Sequence, residues 1–244
     1  MNVSAQWIVP DWPVPPRVRA LITTRAGGTS MGAYASLNLG DRVGDDAAAV
    51  VQNRATLRRL LPADPVWLRQ VHGTRVVDAA AECRGQEADG SVARAPRQVC
   101  AVLTADCLPV LLADVRGTVV GIAHAGWRGL AAGVIEDTVQ AMAIVPASVV
   151  AYLGPAIGAG AYEVGADVLE AFVASDPRAG QAFAPTGKGK FMADLYLLAR
   201  QRLANLGCTR IHGGGYCTFS DARRFYSYRR DGPTGRMATL VWIE

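Results

Sequence analysis

His72 in the run RQVHG, Cys107 in TADCLPVLL and His124 in AHAGWRG are the residues of this 244-residue chain whose types best suit chemistry. They offer one thiolate and two imidazoles, enough for a metal ion with three protein ligands and a fourth position open to water or substrate. A zinc ion held this way acts as a Lewis acid toward an oxygen nucleophile. The same residues also support chemistry without metal, with Cys107 as nucleophile and His124 as its base. The chain contains three histidines, and two of them fall in this set. Each residue has a plainer reading too: a cysteine between Asp106 and Leu108 suits a buried apolar position, and a histidine at a strand end suits a structural hydrogen bond.

Spacing says how the chain brings them together. Leu108 to Ala113 and Thr118 to Ala123 read as the strands of a hairpin around Asp114-Val115-Arg116-Gly117. A turn centred between Val115 and Arg116 predicts Cys107 directly opposite His124, and a bulge at Gly117 would shift that register. His72 arrives on a separate strand, Val66 to Val71. Gly73, Gly121, Gly126 and Gly129 allow close backbone approach at a cost in chain entropy. Asp106 is a candidate proton carrier or orienting group and equally a turn cap. His212, before three glycines, reads as structural. GPAIG at Gly154 to Gly158 reads as a ligand loop or as an ordinary strand-to-helix connection.

The surrounding elements follow from periodicity. Asp46 to Leu61 predicts a helix capped by Asp45 or Asp46 and stopped by Pro62, with Arg54, Arg58 and Arg59 outward. Leu130 to Met142, Ala166 to Ala174 and about Met192 to Leu206 have helical spacing, and Gly207 lies just past the last of these. Val18 to Ile22, Val99 to Leu103 and Ser148 to Leu153 read as strands. Phe225 to Arg230 and Arg236 to Ile243 predict a closing hairpin around Asp231-Gly232. Hairpin and βαβ connections together predict an α/β (α+β) layered sandwich with a mixed sheet, in one domain over residues 1–244.

Composition narrows the class. Half the residues are apolar, yet no run approaches the ~18 apolar residues of a membrane span, and MNVSAQWIVPDW lacks the layout of an export signal. The expectation is a soluble, cytoplasmic protein. Five cysteines form no CxxC pair, which argues against a secreted disulfide framework. The net charge of +4 comes almost wholly from scattered arginines, since Lys188 and Lys190 are the only lysines; no nucleic-acid partner is expected. Arg223, Arg224, Arg229, Arg230 and Arg236 form a denser group, either an anion-binding wall or a solvated edge.

Seven motifs in order resemble one family. SLNLG at Ser36 to Gly40, Asn53-Arg54, QVHG at Gln70 to Gly73, TADCLPVL at Thr104 to Leu111, HAGWRG at His124 to Gly129, GPAIG at Gly154 to Gly158 and YSYRRDGPTGRMA ending at Ala238 look like the YfiH family, also called multicopper polyphenol oxidase or laccase-domain proteins. The resemblance implies a fold similar to cytotoxic-necrotising-factor-type cysteine hydrolases. It also implies purine nucleoside phosphorylase activity on adenosine, inosine and S-methyl-5'-thioadenosine, with adenosine deaminase activity beside it.

The family's zinc ligands carry over to His72, Cys107 and His124. Arg128 and Arg229 are then candidates to balance phosphate charge, Asn38 and Gln70 to contact ribose or base, and Asp106 to protonate the leaving purine. Alternatives are amide hydrolysis of a UDP-MurNAc-amino acid in peptidoglycan precursor editing, and a zinc-binding module without catalysis. Copper-dependent polyphenol oxidation is harder to support, because three histidines cannot build several histidine-rich copper centres.

Overall fold

A computed structural model describes residues 6–80 and 83–244. The first five residues, part of the stretch read as lacking an export signal, lie outside the described residues. Along the chain run β1 (Val18–Ile22), α1 (Ala47–Arg58), β2 (Val76–Asp78), β3 (Gly90–Ala93), β4 (Val99–Thr104), β5 (Leu108–Asp114), β6 (Val120–Ala125), α2 (Trp127–Ala132) and α3 (Val134–Ala141). There follow β7 (Val149–Leu153), β8 (Glu163–Gly165), α4 (Ala166–Val173), β9 (Phe183–Gly187), β10 (Lys190–Ala193), α5 (Leu195–Asn205), β11 (Arg210–Gly213), α6 (Tyr228–Asp231) and β12 (Met237–Ile243).

The central sheet has the order β11-β7-β5-β6-β3-β2, and two three-stranded sheets have the orders β1-β12-β4 and β8-β10-β9. In the central sheet β7 runs parallel to β11 and β2 to β3, while β5 is antiparallel to both its neighbours. Strand alternation sorts the layers. Leu111, Ala113, Val120 and Ile122 pack with Cys100, Val102 and Val241 of the β1-β12-β4 sheet. On the opposite face, Val110, Leu112 and Ala123 meet Ile135 and Val139 of α3 and Leu198 and Leu203 of α5. Ala101 and Leu240 face the other way, onto Leu57 of α1. The mixed α/β sandwich expected from the sequence is therefore present. β5 is buried at every position, which is why it reads as an unbroken apolar run rather than an alternating one.

Several local expectations change. Asp46 caps α1 by accepting from the Ala48 N–H at 3.0 Å, but Arg54 folds inward, donating to the Leu39 carbonyl at 3.0 Å and stacking on Trp67. The helix expected from Leu130 to Met142 is two helices, because Gly133 at φ 106° breaks the backbone between α2 and α3. Met192 belongs to β10, and Asp194 caps α5 through the Leu197 N–H. Val66 to Val71 makes only isolated bridges, at Val66 to Cys100 and Arg69 to Glu87. The closing hairpin is absent. Both edges of β12 are taken by β1 and β4, and the buried Phe225 and Tyr226 lead into the short α6, which Ser227 caps.

Candidate metal centre

The β5–β6 hairpin decides how Cys107 and His124 meet. Its register pairs Pro109 with His124 and Leu108 with Ala125, so the predicted direct opposition of Cys107 and His124 does not occur. The cause is Asp114, whose buried carboxylate accepts from the N–H groups of Thr118 at 2.6 Å and Val119 at 3.1 Å. That contact widens the turn and slides the strands by two positions. A two-residue slip keeps every side chain on its face, and Cys107 becomes the diagonal neighbour of His124, still within reach.

Cys107 lies where the chain crosses from β4 into β5, just after Asp106 at φ 91°. His72 sits in a loop at φ 61°. The donor atoms of His72, Cys107 and His124 all lie within 4.8 Å of one another, and among the described residues no other His, Cys, Asp or Glu joins the group. His72 Nε2 is 3.7 Å from Cys107 Sγ, and the two imidazoles meet edge to face with ring centres 4.8 Å apart. Gly126 makes this packing possible, since a Cβ there would lie 2.6 Å from His72 Cδ2 and 3.1 Å from Cys107 Sγ.

The electrostatics favour a thiolate. Burial alone raises the Cys107 thiol, but the His124 charge and hydrogen bonds from both imidazoles outweigh it and bring the thiol down to about 6. Burial likewise disfavours imidazolium at His124, yet the Cys107 charge and the Asp89 carboxylate raise it to about 9. His124 Nδ1 lies 2.8 Å from Asp89 Oδ1, which leaves Nε2 as its free donor. One thiolate and two imidazoles, one of them oriented by a carboxylate, form a donor set that suits zinc and could also hold another thiophilic metal.

A cavity of about 510 Å³ opens beside the three donors, all of which line it. Arg42, Arg69 and Arg236 border it as well. A second cavity of about 140 Å³ meets the first at Cys107 and is walled by Trp127, Ile157, Tyr162 and Arg229. Burial and the nearby Cys107 charge push the Tyr162 phenol up to about 12, so it stays a neutral donor.

The other candidates fall in different places. Gln70 borders the large cavity, but its amide pairs with both backbone groups of Leu103, at 2.7 and 2.8 Å. Asn38 is fully buried and its amide joins Gly40, Asp45 and the Arg236 N–H. Asp106 accepts from the Thr218 hydroxyl at 2.6 Å and the Arg229 N–H at 2.7 Å, so both oxygens tie loops together. Arg229 donates to the Glu163 carbonyl and stacks on Tyr162, while Arg128 is exposed and lies over Trp127. Arg224 and Arg230 pair with Asp221 and Asp231, so of the C-terminal arginine group it is Arg236 that reaches the large cavity. His212 sits in β11 opposite Tyr152, apart from the centre. In the GPAIG loop, the Tyr196 hydroxyl braces Gly154 and Ala156, and Ile157 reaches the small cavity.

Asp89 is the residue that sequence reasoning missed. Ala88-Asp89-Gly90 reads as a turn, and the only signal that could have marked it is an acid placed between two small residues at the entry to a strand. Burial by itself would raise its carboxyl, but hydrogen bonds from His124, Gly73 and Val71 hold it below the usual range.

Comparison with known proteins agrees with this architecture. Residues 19–244 match the family model described as multi-copper polyphenol oxidoreductase laccase. The chain is 53% identical over 239 residues to a purine nucleoside phosphorylase of Pseudomonas aeruginosa, covering 98% of each. It is 52% identical to purine nucleoside phosphorylase YfiH of Escherichia coli over 97% of this chain and 98% of that one. The crystal structure of Neisseria meningitidis protein NMB0706 superposes with a TM-score of 0.95 at 51% identity, covering 98% of this chain and 99% of that one. With its motifs, fold and sequence all in agreement over nearly the full length, the chain belongs to the multi-copper polyphenol oxidoreductase laccase family, the YfiH proteins.

Proposed function

We propose that the chain is a zinc-dependent purine nucleoside phosphorylase that acts on adenosine, inosine and S-methyl-5'-thioadenosine, with adenosine deaminase as a side activity. The observation that carries this reading is the convergence of His72, Cys107 and His124 on the wall of a 510 Å³ cavity, in a chain whose relatives bear that enzyme name. The volume falls within the range of small-molecule sites, about 300–1,000 Å³. Zinc bound by the three donors would supply Lewis-acid polarisation of an oxygen nucleophile.

The chain's own residues do the rest. Cys107 is held as thiolate, and Asp89 keeps the second nitrogen of His124 occupied. Arg236, with Arg42, brings positive charge to the cavity, where Arg69 is paired with Glu87, and is better placed for phosphate than Arg128, which stacks outside it. Arg229 serves the small cavity, and Gln70 and Asn38 shape the walls through their backbone contacts. The pose of the nucleoside decides whether ribose or base is attacked. We place the enzyme in the cytoplasm as one domain: its five cysteines are free, and no helix among the described residues is long and apolar enough to cross a membrane.

The depressed Cys107 thiol favours a second reading, thiolate attack on an amide carbonyl. One assay separates the two. Zinc-loaded protein should release hypoxanthine from inosine only with phosphate present, lose that activity to a chelator and regain it with zinc. No release refutes the phosphorylase reading. Amidase turnover that ignores chelator but is blocked by iodoacetamide would favour the thiolate.

A further inference from the structure

We infer that Asp89 is the positioning residue of the centre: one carboxylate holds His72 in its left-handed turn and His124 with Nε2 toward Cys107, so metal affinity depends on a side chain that need not touch the metal. The inference rests on the reading of His72, Cys107 and His124 as metal ligands.

Asp89 is fully buried. Its Oδ2 accepts from the N–H groups of Val71 at 3.1 Å and Gly73 at 2.8 Å, and its Oδ1 accepts from the His72 N–H at 3.0 Å and faces His124 Nδ1 at 2.8 Å. Its own carbonyl accepts from the His124 N–H at 2.7 Å. A carboxylate is costly to bury, and four converging donors are what make this one tolerable.

The donors come from the loop that carries His72 and from His124 in β6. A non-glycine residue at φ 61° is disfavoured, and three successive amides turned onto one anion stabilise that conformation. At His124 the carboxylate fixes which ring nitrogen is left to donate. His72 is exposed and makes no regular strand, so the three amide contacts fix the backbone from which its ring reaches His124 and Cys107. Asparagine at position 89 would keep the volume but place an NH₂ group against donors. Either the 71–73 amides or the preferred ring orientation of His124 must then give way.

The test compares zinc affinity, by chelator competition, for native protein, Asp89→Asn and Asp176→Asn. Asp176 is a largely buried carboxylate that accepts from Arg178 and Asn205 and lines neither cavity of the centre, so it reports what general loosening does. Asp89→Asn should bind zinc about 10–100-fold more weakly, with Asp176→Asn within about twofold of native. Unchanged affinity in Asp89→Asn, or equal losses in both variants, overturns the inference.

Should Asp89→Asn fail to fold, ¹⁵N-histidine spectra of the zinc-loaded native protein decide. Ligation of His124 through Nε2 with a protonated Nδ1 is expected, and ligation through Nδ1 refutes it. Native protein that takes up no zinc refutes the metal reading and the Asp89 inference with it. Native uptake with full affinity in folded Asp89→Asn refutes the inference alone.

Discussion

The two ends of the β5–β6 hairpin are each organised by a carboxylate with no solvent exposure, Asp114 at the turn and Asp89 beside the metal centre. Asp114 accepts from Arg116, Thr118 and Val119, all within its own turn. Asp89 accepts from residues 71–73 and His124, segments distant in sequence. Burial pushes both carboxyls up, and the surrounding donors bring both below the usual range. The physical solution is the same, and the origin of the donors differs. Local donors shape a loop and set the register of two strands. Remote donors tie a loop and a strand to one point, and one of them is an imidazole whose far nitrogen stays available.

If that contrast is right, damage at the two ends has different consequences. Cys107→Ala should reduce phosphorolysis per folded molecule by about 10³-fold or more, the scale of losing a group central to the chemistry. Turnover per folded molecule that stays near native would break the distinction. Asp114→Asn should do the reverse: urea unfolding loses about 2–4 kcal/mol, because buried N–H groups lose a charged acceptor, and turnover per folded molecule stays within about twofold.

The third prediction uses pH on metal-free protein. The folded Cys107 thiol, at about 6 against an ordinary 9.0, contributes stability that is complete above pH 9 and lost as pH falls through 6. His124, raised to about 9 from 6.5, contributes stability that is complete below pH 6.5 and lost as pH rises through 9. Both describe one ion pair, intact between about pH 6 and 9. Iodoacetamide should therefore label Cys107 at a near-constant rate across that window and about tenfold more slowly per pH unit below 6. Labelling that rises steadily up to pH 9, as for an ordinary thiol, would break the assignment. The smallest effect belongs to Arg116→Ala. Its side chain is 74% exposed where it pairs with Asp114, so chemical denaturation should shift by no more than about 0.5 kcal/mol.

The fold was readable wherever burial leaves a local pattern. β1, β4, β5 and β7 are apolar runs, α1 carries an aspartate cap, and α5 ends before Gly207 at φ 85°. It was unreadable where a side chain outvotes the pattern. Asp114 widens a turn that read as the four residues 114–117, Gly133 divides a helix whose spacing runs on, and β12 finds partners in β1 and β4 rather than in its sequence neighbour. In the site, the cysteine and two histidines stood out because few other residues could do their chemistry. Arg236 did not stand out among its neighbouring arginines, because only packing decides which guanidinium reaches a cavity and which pairs at the surface.

The sequence by itself determined the donor set, one thiol and two imidazoles beside small residues, and the strand alternation that keeps Cys107 and His124 on one face through a two-residue slip. Tertiary structure alone decided the register, the meeting of His72 with the other two, and the place of Asp89 against the His72 backbone and the His124 imidazole. The reason is range. Residue chemistry and period-two alternation act over a few positions of chain, whereas a buried carboxylate is satisfied by whichever donors folding brings within about 3 Å.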